Sequence, residues 1–349
     1  MLLEQLSNAI GVSGEEDAVR KIILDAIKDH VTDIHIDAVG NLTAIKKGTG
    51  KSDLKVMIAA HMDEIGMMIT GYDSSGMLRF INVGGVPARI MPGLRVKVGK
   101  DQLQGVVLWT PIHKNRDQKV KDLKDLRIDI GASSKSSAEG KAKLGTRATF
   151  DSTYAEISDT MVRGKAFDDR VGCSLLIDIL QGEPYNVDVI AAFTVQEEIG
   201  LRGAQVAAQR LKPDIAIVLE GTTAHDVPNP LADADDPTSP VNPACKVRSG
   251  PVLTVMDRSM ITNPQLLNFA RQVADENGIP YQLKTALGGG TDAGRIHNSN
   301  AGVPSLVVSM PCRYIHSPVA FLNKEDYEHD LALNKAILNN ITRDVITFE

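Results

Sequence analysis

Cysteine is scarce in this chain of 349 residues: Cys173, Cys245 and Cys312 are odd in number, widely separated and never in a CxxC spacing. That pattern argues against a disulfide framework and a thiolate zinc site, and makes a reducing compartment, the cytoplasm, the expected location. Positive charge is not in excess either. The net charge is -6, and the densest cationic stretch, 114–127, is interleaved with Asp117, Asp122 and Asp125. No basic block stands ready for phosphates, so nucleic acid is not an expected partner. No apolar run reaches the roughly 18 residues of a membrane span, and the first residues lack a basic region leading into an apolar one. Neither a membrane segment nor a signal peptide is expected. Several catalytic signatures are missing too. Gly288-Gly289-Gly290-Thr291 lacks the lysine of a phosphate-binding loop, and there is no GxSxG elbow or HExxH helix.

What is present is the composition of an ordinary globular protein, with 43% hydrophobic and 23% charged residues. Ser13 and Glu16 form a capping-box pattern ahead of Val19, Ile22, Ile23, Ala26 and Ile27 at helical spacing, which predicts a first helix. Residues 33–37 and 42–45 read as strands around a Gly40-Asn41 turn, and 54–60 reads as a buried strand ending at His61. From about Thr70 to Ser158 frequent glycines and short strand-like pieces such as 94–98 and 105–108 predict a small β barrel or sandwich. Helix and strand then alternate: helix 170–180, strand 187–195, helix 203–211, strand 215–219, helix 264–277, strand 303–309 and a closing helix 324–346. The expected fold is α/β, a mostly parallel helix-covered sheet with an inserted small β-barrel domain. Residues 1–69 and 159–349 would form the discontinuous α/β domain, and 70–158 the insert.

Ligands in such sheets bind beyond the carboxyl ends of the strands, and there the polar residues collect. His61-Met62-Asp63-Glu64 follows the strand 54–60. Asp63, two residues on, can face the imidazole as the carboxylate behind a metal histidine, although a strand-end salt bridge explains the pair equally well. Asp168 and Asp169 open a helix, where capping is the bland alternative, and Gly172 would permit close helix packing. Glu197 and Glu198 follow a buried strand, where unpaired carboxylates are costly without a cation or a functional proton. Glu220 closes another apolar run, with His225 and Asp226 as weaker candidates nearby. His316 lies in a Ser-Pro turn after the strand 303–309. Oxygen and nitrogen donors without sulfur suit zinc, cobalt or manganese, and an aspartate shared between two ions would make a two-metal hydrolytic site.

Six ordered strings carry a family resemblance: AAHMDEIGMM (59–68), GKAFDDRVG (164–172), TVQEEIGLRGA (194–204), VLEGTTAHDVP (218–228), LGGGTDAGRI (287–296) and RYIHSPV (313–319). Together they resemble the M42 metallo-aminopeptidases, which include glutamyl aminopeptidases and the self-compartmentalising tetrahedral enzymes. The resemblance implies that Asp168 bridges two divalent ions, that His61 and Glu220 complete one, and that Glu198 and His316 complete the other. Many members carry aspartate where this chain has Glu220, though glutamate also occurs. It further implies Glu197 as the catalytic base, Asp63 as the acid behind His61, and the barrel as a dimerisation module in a dodecamer built from six dimers. Asp292 and the stretch 257–259 become candidate substrate-pocket residues.

The mechanism so implied has water between the ions yielding its proton to Glu197 and attacking the first peptide carbonyl of a peptide substrate. A carboxypeptidase or deacylase with the same metals, a glycosidase using paired carboxylates, and a non-catalytic binding assembly are the alternatives.

Overall fold

The computed structural model describes residues 2–108, 113, 120–227, 245–285 and 289–347, so positions 114–119 of the cationic stretch and Gly288 lie outside the described residues. Two helices, α1 (Leu3–Asn8) and α2 (Asp17–Ile27), lead into the hairpin β1 (Thr32–Ile36) and β2 (Leu42–Lys46) and then β3 (Lys55–His61). Next come β4 (Gly66–Tyr72), β5 (Leu78–Val83), β6 (Arg95–Val98), β7 (Leu103–Val107), β8 (Ile128–Asp129), α3 (Lys135–Lys141) and β9 (Arg147–Phe150). After β10 (Ala155–Glu156) and β11 (Met161–Gly164) follow α4 (Phe167–Gln181), β12 (Asp188–Thr194), α5 (Arg202–Leu211) and β13 (Ile215–Thr223). The chain finishes with β14 (Val252–Thr254), α6 (Pro264–Glu276), β15 (Gln282–Lys284), α7 (Ala293–His297), β16 (Ser305–Cys312), β17 (Ala320–Asn323) and α8 (Lys324–Asn340).

Eight strands form one mixed sheet in the order β1-β2-β12-β3-β13-β16-β14-β15. Its four central strands, β12, β3, β13 and β16, run parallel, while β2 and β14 flank them antiparallel. The apolar run of β3 is continuous because both of its faces are covered. Val56, Ile58 and Ala60 join the core shared with α2, α4 and α8, and Met57 and Ala59 point to the other core, under α5 and α7. Ala204, Ala207 and Ala208 of α5 are small, so that helix lies close on the sheet.

Strands β4 to β9 close into an antiparallel barrel with its own core, inserted between β3 and β10. The barrel strands run from Gly66 to Phe150, whereas the glycine-rich composition suggests 70–158; β10 joins β11 and β17 in a separate small sheet. Two local expectations need correction. Ser13 does not cap α2: that helix starts at Asp17 with no side-chain cap, because the Ser13 hydroxyl is engaged by Asp63 instead. The closing helix ends at Asn340 rather than 346, with a short 3-10 turn at Arg343–Ile346.

Candidate metal centre

Parallel register brings the polar strand ends level. Thr194 pairs with His61, so Glu197 and Glu198 emerge beside the end of β3. On the other side Val218 pairs with Ala59, which sets Glu220 abreast of His61, and β16 delivers the turn that carries His316. Asp168 arrives from the opposite direction, at the start of α4, before regular helical dihedrals begin. Three residues at these corners, Ala166, Gln196 and His316, hold left-handed φ values of 54°, 58° and 56° without being glycine. Such conformations are unfavourable for side-chain-bearing residues and cluster at functional sites.

Asp168 stands at the middle. Its Oδ1 lies 3.2 Å from His61 Nε2, and its Oδ2 lies 3.2 Å from His316 Nε2. Glu220 Oε1 is also 3.2 Å from His61 Nε2, and Glu198 Oε1 is 3.5 Å from His316 Nε2. Two triads result, His61–Asp168–Glu220 and Asp168–Glu198–His316, each with one donor atom per residue within 4.8 Å of the others. Glu197 belongs to neither triad, although its Oε2 comes within 3.9 Å of His61 Nε2.

Burial and mutual repulsion dominate the electrostatics of the cluster. Burial pushes the Glu220 carboxyl up to about 8, with the charge of Asp168 adding to it. Burial and Asp168 likewise push Glu198 up to about 8, and burial holds Glu197 well above the usual carboxylate range. Burial opposes ionisation of Asp168 too, yet hydrogen bonds from His316 and His61 outweigh it and hold that carboxyl far below its ordinary value. His316, bonded to Asp168, rises to about 9. His61 is raised well above its usual value, because Glu220, Asp168 and Asp63 together overcome its burial. Raised values of this kind mean that the buried carboxylates favour protons where no other positive charge is near. Divalent ions would replace them and let every carboxylate ionise. The fit to two such ions is supported by the donor set, all oxygen and nitrogen, and by Glu220 Oε2, which is buried without a hydrogen-bond partner.

Residues behind the cluster hold it in place. His61 Nδ1 donates to the Asp63 backbone carbonyl at 3.1 Å, nearer than the Asp63 Oδ1 at 3.5 Å. The fully buried Asp63 carboxylate also accepts from Ser13 Oγ (2.6 Å), from the Glu197 N–H (2.9 Å) and from the Glu198 N–H (3.2 Å). Asp63 therefore orients the histidine mostly through main chain and fixes the two glutamates through its side chain. Asp169 caps α4 by accepting from the Gly172 N–H, and its other oxygen accepts from the His61 N–H. A Cβ at Gly172 would overlap that carboxylate, so the glycine serves the cap rather than helix packing. Beneath both lies a buried ion pair in which Lys165 Nζ is 2.8 Å from Glu64 Oε1; Glu64 also accepts from Thr149 Oγ1 of the barrel.

A cavity of about 630 Å³ opens over the cluster, lined by both triads apart from His61, by Glu197, and by Thr222, Thr254, Asp257 and Lys284. Asp292 is not among its lining residues. It sits buried, accepting from Thr194 Oγ1 at 2.5 Å, and burial raises it to about 6, while its neighbours Gly289, Gly290 and Thr291 form the wall. Of the weaker candidates, His225 lines the cavity, but Asp226 is paired with Arg313 at 2.7 Å and stays outside the cluster. Residue spacing does not reveal Ser13, Lys165 or the Gly84-Gly85 turn that meets His316. Adjacent glycines after a short strand are the one signal available for that turn.

Comparison with known proteins places the chain in a family. The family model described as M42 glutamyl aminopeptidase matches residues 40–333. The chain is 33% identical to the lysyl aminopeptidase of Pyrococcus furiosus, covering 97% of this chain and 96% of that one. A TET aminopeptidase from a marine-sediment archaeon of the Thaumarchaeota superposes with a TM-score of 0.91 at 35% identity, over 99% of this chain and 97% of the other. The TET1 peptidase of Pyrococcus horikoshii, described as assembling into a tetrahedron or a large octahedral shell, does so at 0.84 and 34%, over 97% and 98%.

Proposed function

The chain belongs to the M42 glutamyl aminopeptidase family, and from that premise we propose that it removes N-terminal residues from peptides at a centre for two divalent ions. M42 peptidases are metal-dependent peptide hydrolases. The observation that carries the two-ion reading is the pair of triads sharing Asp168, with Glu197 beside them and outside both. His61, Asp168 and Glu220 would hold one ion, and Asp168, Glu198 and His316 the other; zinc or cobalt suits these donors, with manganese as a further fit. When bound, the ions would supply Lewis acidity to the scissile carbonyl and make water easier to deprotonate.

The chain's own groups do the rest. Glu197, held by Asp63 through its backbone N–H, takes the proton as the oxygen of water bonds to the carbonyl carbon. Cleavage of the C–N bond then returns that proton from Glu197 to the departing amine nitrogen. The substrate side chain rests against the wall of Thr222, Thr254, Asp257 and Lys284. The assembly would be a cytoplasmic homo-oligomer, a dodecamer of barrel-paired dimers. Its support is the assembly described for the Pyrococcus horikoshii relative and the exposed apolar residues Ile81, Val106 and Leu144 of the barrel.

Peptides with free and acetylated amino termini, assayed after chelation and after return of zinc, cobalt or manganese, test the activity. Metal-restored cleavage of the free-amino peptides alone is expected. Cleavage that needs only a free carboxyl end, or glycoside hydrolysis that survives chelation, would refute it. Light scattering of the purified chain, giving twelve copies or fewer, tests the assembly.

A further inference from the structure

The turn after β5 belongs to the barrel, not to the sheet that supplies the cluster, yet it reaches a cluster residue directly. His316 Nδ1 lies 3.2 Å from the carbonyl oxygen of Gly85. A carbonyl only accepts, so Nδ1 keeps its hydrogen, and Nε2, facing Asp168 and Glu198, is the nitrogen left for a cation. Apart from the cluster carboxylates at Nε2, the Gly85 carbonyl is the one hydrogen-bond partner of the ring among the described residues. Its side chain is 38% exposed, against 2% for His61, which is bonded by its own strand end.

The turn is built for this approach. Gly84 has φ +79°, and a Cβ there would lie 2.7 Å from Ile65 and 3.2 Å from Glu198 Oε2. A Cβ on Gly85 would lie 3.0 Å from His316 Nδ1, closer than such contacts ordinarily come. Asn82 Nδ2 closes the turn by donating to the Val86 carbonyl at 2.5 Å.

We propose that Gly85 is a positioning residue for the Glu198–His316 half of the centre, so that the barrel helps build the active centre besides any part in assembly. One half, His61–Asp168–Glu220, is then the work of the sheet domain alone, and the other needs both domains. The inference rests on the two-ion reading, and its test separates the two. Outer partners that orient a metal histidine typically change affinity ten- to a hundredfold.

Equilibrium dialysis of the chelated full chain against graded zinc or cobalt, with elemental analysis, gives the ions bound per chain and their affinities. The wild type is expected to bind two. Gly85→Ala, which pushes the His316 ring aside, should keep one ion at wild-type affinity and weaken the second about tenfold to a hundredfold. Asn82→Ala, which loosens the turn without placing an atom against the ring, should move in the same direction and decides the matter alone if Gly85→Ala fails to fold. Gly140→Ala, in α3 of the barrel with nothing within 4 Å of the added carbon, should bind as the wild type does. Two ions at wild-type affinity in Gly85→Ala and Asn82→Ala, or equal loss of both ions, overturns the proposal. A wild type that binds fewer than two ions overturns the two-ion reading beneath it.

Discussion

The hydroxyl of Ser13 donates a 2.6 Å hydrogen bond to the Asp63 carboxylate, so a residue ahead of the first long helix braces a carboxylate that holds both glutamates of the centre. Ser13→Ala removes one of three donors from a fully buried acid. A hydrogen bond to a charged group contributes about 1.5–3 kcal/mol, and thermal or urea unfolding should show a loss of that order. Turnover should fall about threefold to tenfold, roughly 1 kcal/mol of barrier, as the Glu197 backbone loosens. Unchanged stability would show that Asp63 does not depend on this donor.

That bond also marks where sequence reasoning ends. His61, Glu198, Glu220 and His316 are legible because each lies at, just before or a few residues beyond the carboxyl end of a buried strand, and a parallel sheet gathers such ends at one edge. Ser13 reads as a cap because capping is a local pattern, whereas its partner is 50 positions away. The Gly85 carbonyl is invisible for a deeper reason: every residue has one, so residue type says nothing of which carbonyl meets a ring. The two-residue spacing lets the Asp63 carboxylate face the imidazole, and what it does not reveal is that the Asp63 backbone carbonyl lies nearer still to His61 Nδ1. The break in the last helix at Ile341 has no glycine or proline to announce it.

Metal-free protein should lose stability as pH rises from about 5 to 8. Glu198 and Glu220 move from an ordinary 4.5 to about 8 in the folded state, and His316 from 6.5 to about 9. All three bind protons more tightly when folded, so across this window the folded state carries more protons and raising pH favours unfolding. Ions that replace these protons should raise the melting temperature more at pH 8 than at pH 5.5. Some slope should persist with metal, since Asp330, buried in α8 away from the centre, is itself raised to about 8 by burial. A metal-free melting temperature that climbs between pH 5 and 8 would contradict this proton balance.

Lys284 faces the cavity with a neutral partner, Thr222 Oγ1 at 2.6 Å, and no carboxylate within ion-pair distance among the described residues. Lys284→Glu should shift the ratio of turnover on lysyl over glutamyl substrates upward by about tenfold, the effect of roughly 1.4 kcal/mol from reversing one wall charge. Paired assays on the two substrates measure it. A ratio that does not move would remove Lys284 from the wall that meets the substrate side chain.

Lys165→Met leaves the buried Glu64 carboxylate with only a 3.4 Å contact from Arg170 as ionic compensation. Breaking one side of a buried pair typically costs about 3–5 kcal/mol, and urea unfolding should show a loss in that range. A change below about 1 kcal/mol would mean that Arg170 alone suffices.

Glu197→Gln separates proton transfer from metal binding, because it removes the proposed proton carrier and leaves both triads intact. Elemental analysis and steady-state kinetics on the same zinc- or cobalt-loaded preparation should show wild-type metal content and a kcat lower by about a hundredfold to ten-thousandfold. Near-wild-type turnover in that variant, with the metal retained, would contradict the assignment of Glu197 as the group that moves the proton.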